Sequence, residues 1–218
     1  MAGQLSLDLK FRPALGREAF LVSESNATAL AAVEAWKDWP GGKLALCGPA
    51  GAGKTHLAHV WAEMTGASIV SAKEAGTALL GTERLVIEDV DRVAGDPAAE
   101  ERLFHLHNAT LAAGGRLLVT GRSAPRHWAL GLPDLASRLS AAGVARLESP
   151  DEALLAGVLV KLFADRQIRV KPALVSYLTR RIDRSIPAAQ AAVAALDRAS
   201  LAGARPVGVK LAAELLGE

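Results

Sequence analysis

The sequence predicts an α/β fold, a mostly parallel sheet flanked by helices, followed by a small all-helical domain, and three observations carry that prediction. A glycine-rich octapeptide, Gly48 to Thr55, lies between a short apolar run and a helical stretch. Short apolar runs then alternate with helix-like segments as far as Ser149. This is the pattern of successive β-α units whose parallel strands are covered by helices. Beyond Ser149 the strand signals cease, and helix candidates follow one another between Pro172, Pro187 and Pro206.

Taken in order, Leu44 to Cys47 is the first strand candidate and Lys54 to Thr65 the helix after the glycine loop, so the two form one β-loop-α unit. Ala67 to Val70 is a second apolar run, leading into a weak helical segment, and Leu85 to Ile87 is a third, ending on the acids Glu88 and Asp89. Pro97 to Ala113 reads as a helix stopped by Gly114 and Gly115, before strand candidates at Leu117 to Thr120 and Val144 to Leu147. After Pro150, the acids Asp151 and Glu152 suit a helix N-terminus, where the backbone dipole favours negative charge. Leu154, Leu155, Val158, Leu159 and Leu162 recur at helical spacing and read as core packing. The expected division is a terminal peptide over 1–10, an α/β domain over 11–149 and a helical domain over 150–218.

A chain of 218 residues, half of them hydrophobic, holds one large domain or a medium one with a small appendage. A net charge of +2 imposes no overall electrostatic demand for nucleic acid. Cys47 is the single cysteine, which excludes an internal disulfide framework and reads as a small buried hydrophobe in a reducing compartment. Met1 to Lys10 lacks the pattern of a secretory signal, and no charge-free apolar run is long enough to span a membrane, so a cytoplasmic location is expected.

The chemistry starts at Gly48-Pro49-Ala50-Gly51-Ala52-Gly53-Lys54-Thr55, which fits a phosphate-binding loop set between a strand and a helix. Its glycines let backbone N–H groups turn toward phosphate oxygens, and the helix N-terminus adds positive potential. Lys54 is expected to reach the β- and γ-phosphates, Thr55 to ligate Mg²⁺, and His56 to follow directly on the loop. The acids closing the third strand, Glu88 and Asp89, are the expected second half, holding magnesium through its water shell or orienting an attacking water. His56 and His59 share helical spacing, but no further ligand cluster makes them a metal site. His105 and His107 read as surface or boundary residues, and Trp36, Trp39, Trp61 and Trp128 as packing residues. Near the N-terminus, Gln4 precedes Leu5, Leu7 and Leu9, which alternate with polar residues. That pattern suits an edge strand and a docking peptide equally well.

Several of these pieces together resemble the Hda proteins, AAA+ relatives of the bacterial replication initiator DnaA that restrain initiation. Gly53-Lys54-Thr55-His56-Leu57 looks like the DnaA-group version of the loop, and Gly131-Leu132-Pro133-Asp134-Leu135-Ala136-Ser137-Arg138-Leu139 like the segment that carries an arginine finger, with Arg138 the matching arginine. Leu196-Asp197-Arg198-Ala199-Ser200 is also similar, and no DNA-reading helix-turn-helix follows in the chain as far as Glu218. The resemblance implies an AAA+ P-loop core with a helical lid, binding ADP or ATP with Mg²⁺. It also implies that Gln4, Leu5, Leu7 and Leu9 dock on the β sliding clamp of DNA polymerase III, so that DNA is met through the clamp and the protein accompanies the nucleoid. On the loaded clamp the ADP-bound form would promote hydrolysis of DnaA-bound ATP, Arg138 acting in trans, and the chain could self-associate.

Three departures from the family pattern shape the expectation. Glu88 precedes Asp89 where Asp usually comes first, Pro187 stands where a second-sensor arginine belongs with Arg184 as a nearby substitute, and Thr120 in Thr120-Gly121-Arg122 takes the first-sensor place. They point to nucleotide held chiefly as a structural ligand, in an activator of DnaA rather than an efficient ATPase. Two other functions compete: a DnaC-like helicase loader, which needs single-stranded DNA contacts and a helicase-binding extension, and a stand-alone P-loop enzyme such as a small-molecule kinase, which needs a substrate-binding insertion.

Overall fold

A computed structural model describes residues 16–217. The proposed docking residues Gln4, Leu5, Leu7 and Leu9 lie outside the described residues. The α/β part contains strands β1 (Lys43–Cys47), β2 (Ser68–Ser71), β3 (Arg84–Glu88), β4 (Arg116–Gly121) and β5 (Gly143–Arg146). With them run helices α1 (Ala27–Glu34), α2 (Lys54–Thr65), α3 (Pro97–Ala112) and α4 (Pro133–Ser140), and four more follow: α5 (Glu152–Asp165), α6 (Pro172–Thr179), α7 (Ile186–Gly203) and α8 (Val209–Leu216).

The five strands pair in the order β2-β3-β4-β1-β5, and every pairing is parallel. β1 lies inside the sheet, between β4 and β5, and is buried along its whole length, which explains why it reads as an unbroken apolar run rather than an alternating one. Its neighbours are in register so that Cys47 lies beside Gly121 of β4 and Arg146 of β5. The loops that carry chemistry therefore leave adjacent strands at one edge of the sheet.

One apolar layer, with Leu103, Leu106, Leu135 and Leu139, packs α3 and α4 on one face of the sheet. The other face carries α1 and α2 through Val33, Leu57 and Trp61. A third cluster, including Leu155, Leu159, Phe163, Leu178, Val193 and Leu211, belongs wholly to the last four helices. Trp39, Trp61 and Trp128 are buried and Trp36 packs partly buried against the second cluster, as packing residues should.

The structure corrects the sequence reading in several places. The weak helical segment after the second strand is only a 3-10 turn at Thr77–Leu79. α1 has no counterpart in the periodicity; its run of alanines carries little contrast between its faces. The prolines do not separate the later helices but open them, Pro172 and Pro187 lying in first turns where a missing N–H costs nothing. Cys47 is buried as expected, and burial raises its thiol pKa to about 11, so it stays an unionised apolar group. His107 is no surface residue: it is 3% exposed, and its Nε2 lies 3.3 Å from the Lys43 Nζ. An ammonium can only donate, so Nε2 accepts and Nδ1 holds the proton, given to Asn108 Oδ1 at 3.0 Å.

Candidate functional site

The glycine loop leaves β1 and enters α2 through two left-handed residues, Gly51 at φ +77° and Gly53 at φ +100°. Side chains rarely tolerate this backbone, and here it aims the first N–H groups of α2 at one spot. Lys54, the first residue of α2, is buried, and its Nζ donates to the carbonyl oxygens of Gly48 (2.8 Å) and Pro49 (2.9 Å). Burial lowers its pKa, an effect that Asp89 and Asp91 oppose and Arg122 reinforces. These four charges therefore share one neighbourhood. A cavity of about 550 Å³ opens here, walled by Ala50 to His56 along the loop and by Asp89, Arg92 and Arg122 from the neighbouring strand ends.

The acidic side is built by the chain after β3. Asp89 adopts a left-handed backbone at φ 56°, and its N–H donates to Thr120 Oγ1 at 2.9 Å. Thr120 is almost fully buried, so its hydroxyl supports the acidic turn and is not among the cavity's lining groups. The Asp89 carboxylate pairs with the Arg92 Nε at 3.2 Å, and Asp91 Oδ2 accepts the Arg122 N–H at 3.0 Å. Glu88 Oε1 and Asp91 Oδ1 are enclosed without any hydrogen-bond partner. Of these three acids only Asp89 lines the cavity. Among the described residues no three such ligands assemble a metal site of their own. A Mg²⁺ ion brought in with phosphates would therefore meet one carboxylate there, that of Asp89, with the rest of its shell from phosphates and water.

The opposite wall is apolar. Ala19, Phe20 and Leu21 face Leu154, Val158 and Leu162 of α5, a surface of the right character for a planar base. The apolar stripe of α5 is thus divided: Leu155 and Leu159 pack in the helical core, Leu154 serves the cavity, and Val158 and Leu162 touch both. Asp151 caps α5 by accepting the Leu154 N–H at 2.7 Å. His56 stands edge-on to Phe20, with ring centroids 5.1 Å apart, and burial lowers its pKa.

α7 closes the cavity directly over the glycine loop. The Ile186 N–H donates to Gly51 O at 3.1 Å, and a Cβ on Gly51 would stand 2.7 Å from Ser185 Cβ and 2.9 Å from Pro187 Cδ. Pro187 and Gln190 line the cavity, while Arg184, one residue before the Ser185 cap of α7, is exposed and outside the wall. Cavity cations beyond Lys54 are instead Arg92, Arg122 and Lys161. The sequence reading missed Asp91 as a partner of the site and took Arg122 only as a departure from a pattern; an acid two residues past Asp89 was the available signal.

Arg138 stands elsewhere. It occupies the exposed last turn of α4, its guanidinium 5.3 Å from the Phe104 ring centroid. Lys43 and His107 feel its charge, and among the described residues no carboxylate forms an ion pair with it. Lys43 begins β1 and the glycine loop follows its end, so the two sites are separated by roughly the strand's length, about 13 Å at 3.3 Å per residue. The approach to α4 is fixed by Glu100, which is 1% exposed and accepts the N–H groups of Gly131, Leu132 and Gly95. Burial raises the Glu100 pKa, but the three N–H donors outweigh it and leave the carboxyl below its ordinary value.

A glycine loop on an inner strand of a parallel β2-β3-β4-β1-β5 sheet, followed by a helical domain, defines the AAA+ fold. No protein-family model matches the chain. Among solved structures it superposes on domain III of the replication initiation protein DnaA from Thermotoga maritima with a TM-score of 0.82 at 21% identity, covering 94% of this chain and 96% of that one. The AMPPCP-bound DnaA of Aquifex aeolicus matches at 0.70 and 16% identity over 88% of this chain and 67% of that one. The Holliday junction branch migration motor RuvB of Thermotoga maritima matches at 0.70 and 20% identity over 93% and 71%. At such identities the likeness is one of fold.

Proposed function

We propose that this chain is a nucleotide-binding AAA+ regulator that restrains replication initiation: held on the β sliding clamp by Gln4, Leu5, Leu7 and Leu9, it stimulates hydrolysis of DnaA-bound ATP through Arg138. The cavity supports nucleotide binding, with Lys54 and the N-terminus of α2 at its phosphate end and an apolar wall of base-like dimensions opposite. Thr55 would ligate magnesium carried by the phosphates, and Asp89, which lines the cavity, would hold its water shell.

The observation that carries the regulatory part is the placement of Arg138. A guanidinium with no ion-pair partner among the described residues, outside the wall of its own nucleotide cavity, is poised to serve a neighbour's nucleotide rather than its own. On the γ-phosphate of a partner it would stabilise transition-state charge, an effect of about 10³ to 10⁵ in rate for arginine fingers. Likeness to DnaA makes DnaA the natural partner, since AAA+ modules of similar shape can stack finger to nucleotide. ADP in the chain's own cavity would hold the lid over Gly51 and set the angle at which α4 is offered.

The test is reconstitution. ATP-loaded DnaA is incubated with this protein, with and without DNA-loaded clamp, and conversion to ADP is followed. Rapid conversion that requires the clamp and is lost with Gln4→Ala and Leu7→Ala supports the reading. Conversion no faster than DnaA alone refutes it.

A further inference from the structure

The net charge of +2 conceals an uneven distribution. Between Arg166 and Arg184 the chain carries six cations and one acid, Asp183, which leaves nineteen cations against twenty-two acids elsewhere. That stretch is α6 with the turns on either side of it. Arg166 is spent within the fold, paired with Asp197 at 3.6 Å and donating to Leu162 O at 3.1 Å. The other five, Arg169, Lys171, Arg180, Arg181 and Arg184, are all exposed. Arg169, Lys171, Arg180 and Arg184 have no ion-pair partner among the described residues. Acids on the neighbouring helices are already taken: Asp165 of α5 by Lys161, Asp197 of α7 by Arg166, and Glu214 of α8 by Arg205.

The burial of α6 turns one face outward. Leu174, Val175, Leu178 and Thr179 are buried, whereas Ala173, Ser176 and Arg180 recur at helical spacing on the exposed side. Ala173 and Ser176 are small and uncharged, so another backbone can come close between two groups of cations, Arg169 and Lys171 before the helix and Arg180, Arg181 and Arg184 after it. Eight residues at 1.5 Å each set these groups about 12 Å apart, the width of the major groove of B-form DNA. Four of the five are arginines, whose planar fork matches a phosphate. The ring of Tyr177 lies under the Arg181 guanidinium, 4.1 Å from centroid to Cζ, so it is not open to stack an unpaired base.

We infer that this face of α6 binds the phosphate backbone of duplex DNA directly, without reading its sequence. The inference goes beyond the proposed function, in which DNA is met through the clamp, and it needs neither nucleotide nor DnaA. Cations at the two ends of α6 meet phosphates on both sides of a groove and displace their counterions, so binding is independent of sequence and falls steeply with salt. Arg184, which lies outside the wall of the nucleotide cavity, belongs to this surface.

Fluorescence anisotropy of a short labelled duplex of arbitrary sequence, titrated with the full chain over a series of salt concentrations and without clamp or nucleotide, tests this. With about four phosphates neutralised, log K falls against log salt with a slope of about −4. Arg169→Ala with Lys171→Ala, and separately Arg180→Ala with Arg184→Ala, are each expected to weaken binding about tenfold at low salt and to reduce that slope by about two. Lys73→Ala with Arg126→Ala removes the same charge from exposed positions of the α/β part and changes the Kd less than about twofold. Thermal unfolding checks that each pair is folded, and the two α6 pairs test the face independently. No binding of the duplex by the unsubstituted protein, or a control pair weakened as much as the α6 pairs, overturns the inference. So does displacement of the duplex by polyglutamate at equal charge, which assigns the face to an acidic protein, or tighter binding of duplex RNA than of DNA.

Discussion

Replacing Gly51 by alanine attacks the contact by which α7 rests on the phosphate loop, and its cost is worked from the structure. The residue sits at φ +77°, where an L side chain costs about 1–2 kcal/mol. The new Cβ would lie 2.7 Å from Ser185 Cβ and 2.9 Å from Pro187 Cδ, so the N-terminus of α7 must withdraw by about 1 Å to reach ordinary contact. That movement forfeits the Ile186 N–H to Gly51 O bond, about 1 kcal/mol more. Together the change costs about 3 kcal/mol, which for a chain of 218 residues lowers Tm by roughly 6–12 °C. Gly66→Ala is the matched control. Gly66 is equally left-handed at φ +73°, but nothing lies within 4 Å of its Cβ position, so only the backbone term of about 1–2 kcal/mol remains. Thermal unfolding of both variants without nucleotide, followed by ATP titration, measures the difference. If the two variants melt together, α7 does not rest on the loop as described and the coupling of lid to phosphate site is wrong.

Lys54→Ala is expected to weaken nucleotide binding by about 100-fold, since it removes the charge-assisted contact to the phosphates, measured by the same titration. Buried His107, between Lys43 and Arg138, has a folded pKa below its ordinary value of 6.5 because of burial first and those cations next, opposed by its bond to Asn108. The unfolded chain therefore takes up this proton at higher pH than the folded chain. Stability is lost as pH falls below about 6.5, by up to about 1.4 kcal/mol per pH unit, and His107→Gln flattens that slope. Parallel slopes in urea titrations between pH 7 and 5 would contradict this. Asp151→Ala removes the α5 cap, costing about 1 kcal/mol and about 2–4 °C at neutral pH. The Asp151 pKa is lowered chiefly by the Leu154 N–H, so its contribution is present above 3.8 and lost as pH falls through the lowered folded value. The gap between the two melting temperatures should close in strong acid.

What was legible in the sequence was what the backbone alone decides. Short apolar runs between loops mark strands buried on both faces, and β1, β3 and β4 emerge from them within a residue at either end. The glycine loop is equally plain, because left-handed turns at Gly51 and Gly53 restrict residue type. Less visible was anything set by tertiary neighbours. Glu100 and Glu101 are adjacent acids in one helix, yet one is buried under three N–H donors and the other exposed; no local pattern separates them. The alanine-rich α1 has too little periodic contrast to announce itself, and α4, though amphipathic, runs for only eight residues. Arg122 reads as an anomaly in a strand-end motif, and only the sheet order places it between the acidic turn and the loop, in the cavity wall.

The central claim is that Arg138 acts on a partner's nucleotide and not on the chain's own. The measurement that tests it most directly compares Arg138→Ala with the unsubstituted protein in two assays: ADP binding by the chain itself, and the rate at which DnaA-bound ATP is hydrolysed on loaded clamp. The account predicts unchanged ADP affinity and a stimulated rate reduced by about 10³ or more. Full stimulation by Arg138→Ala, or a loss of ADP binding in parallel with the loss of rate, would contradict it.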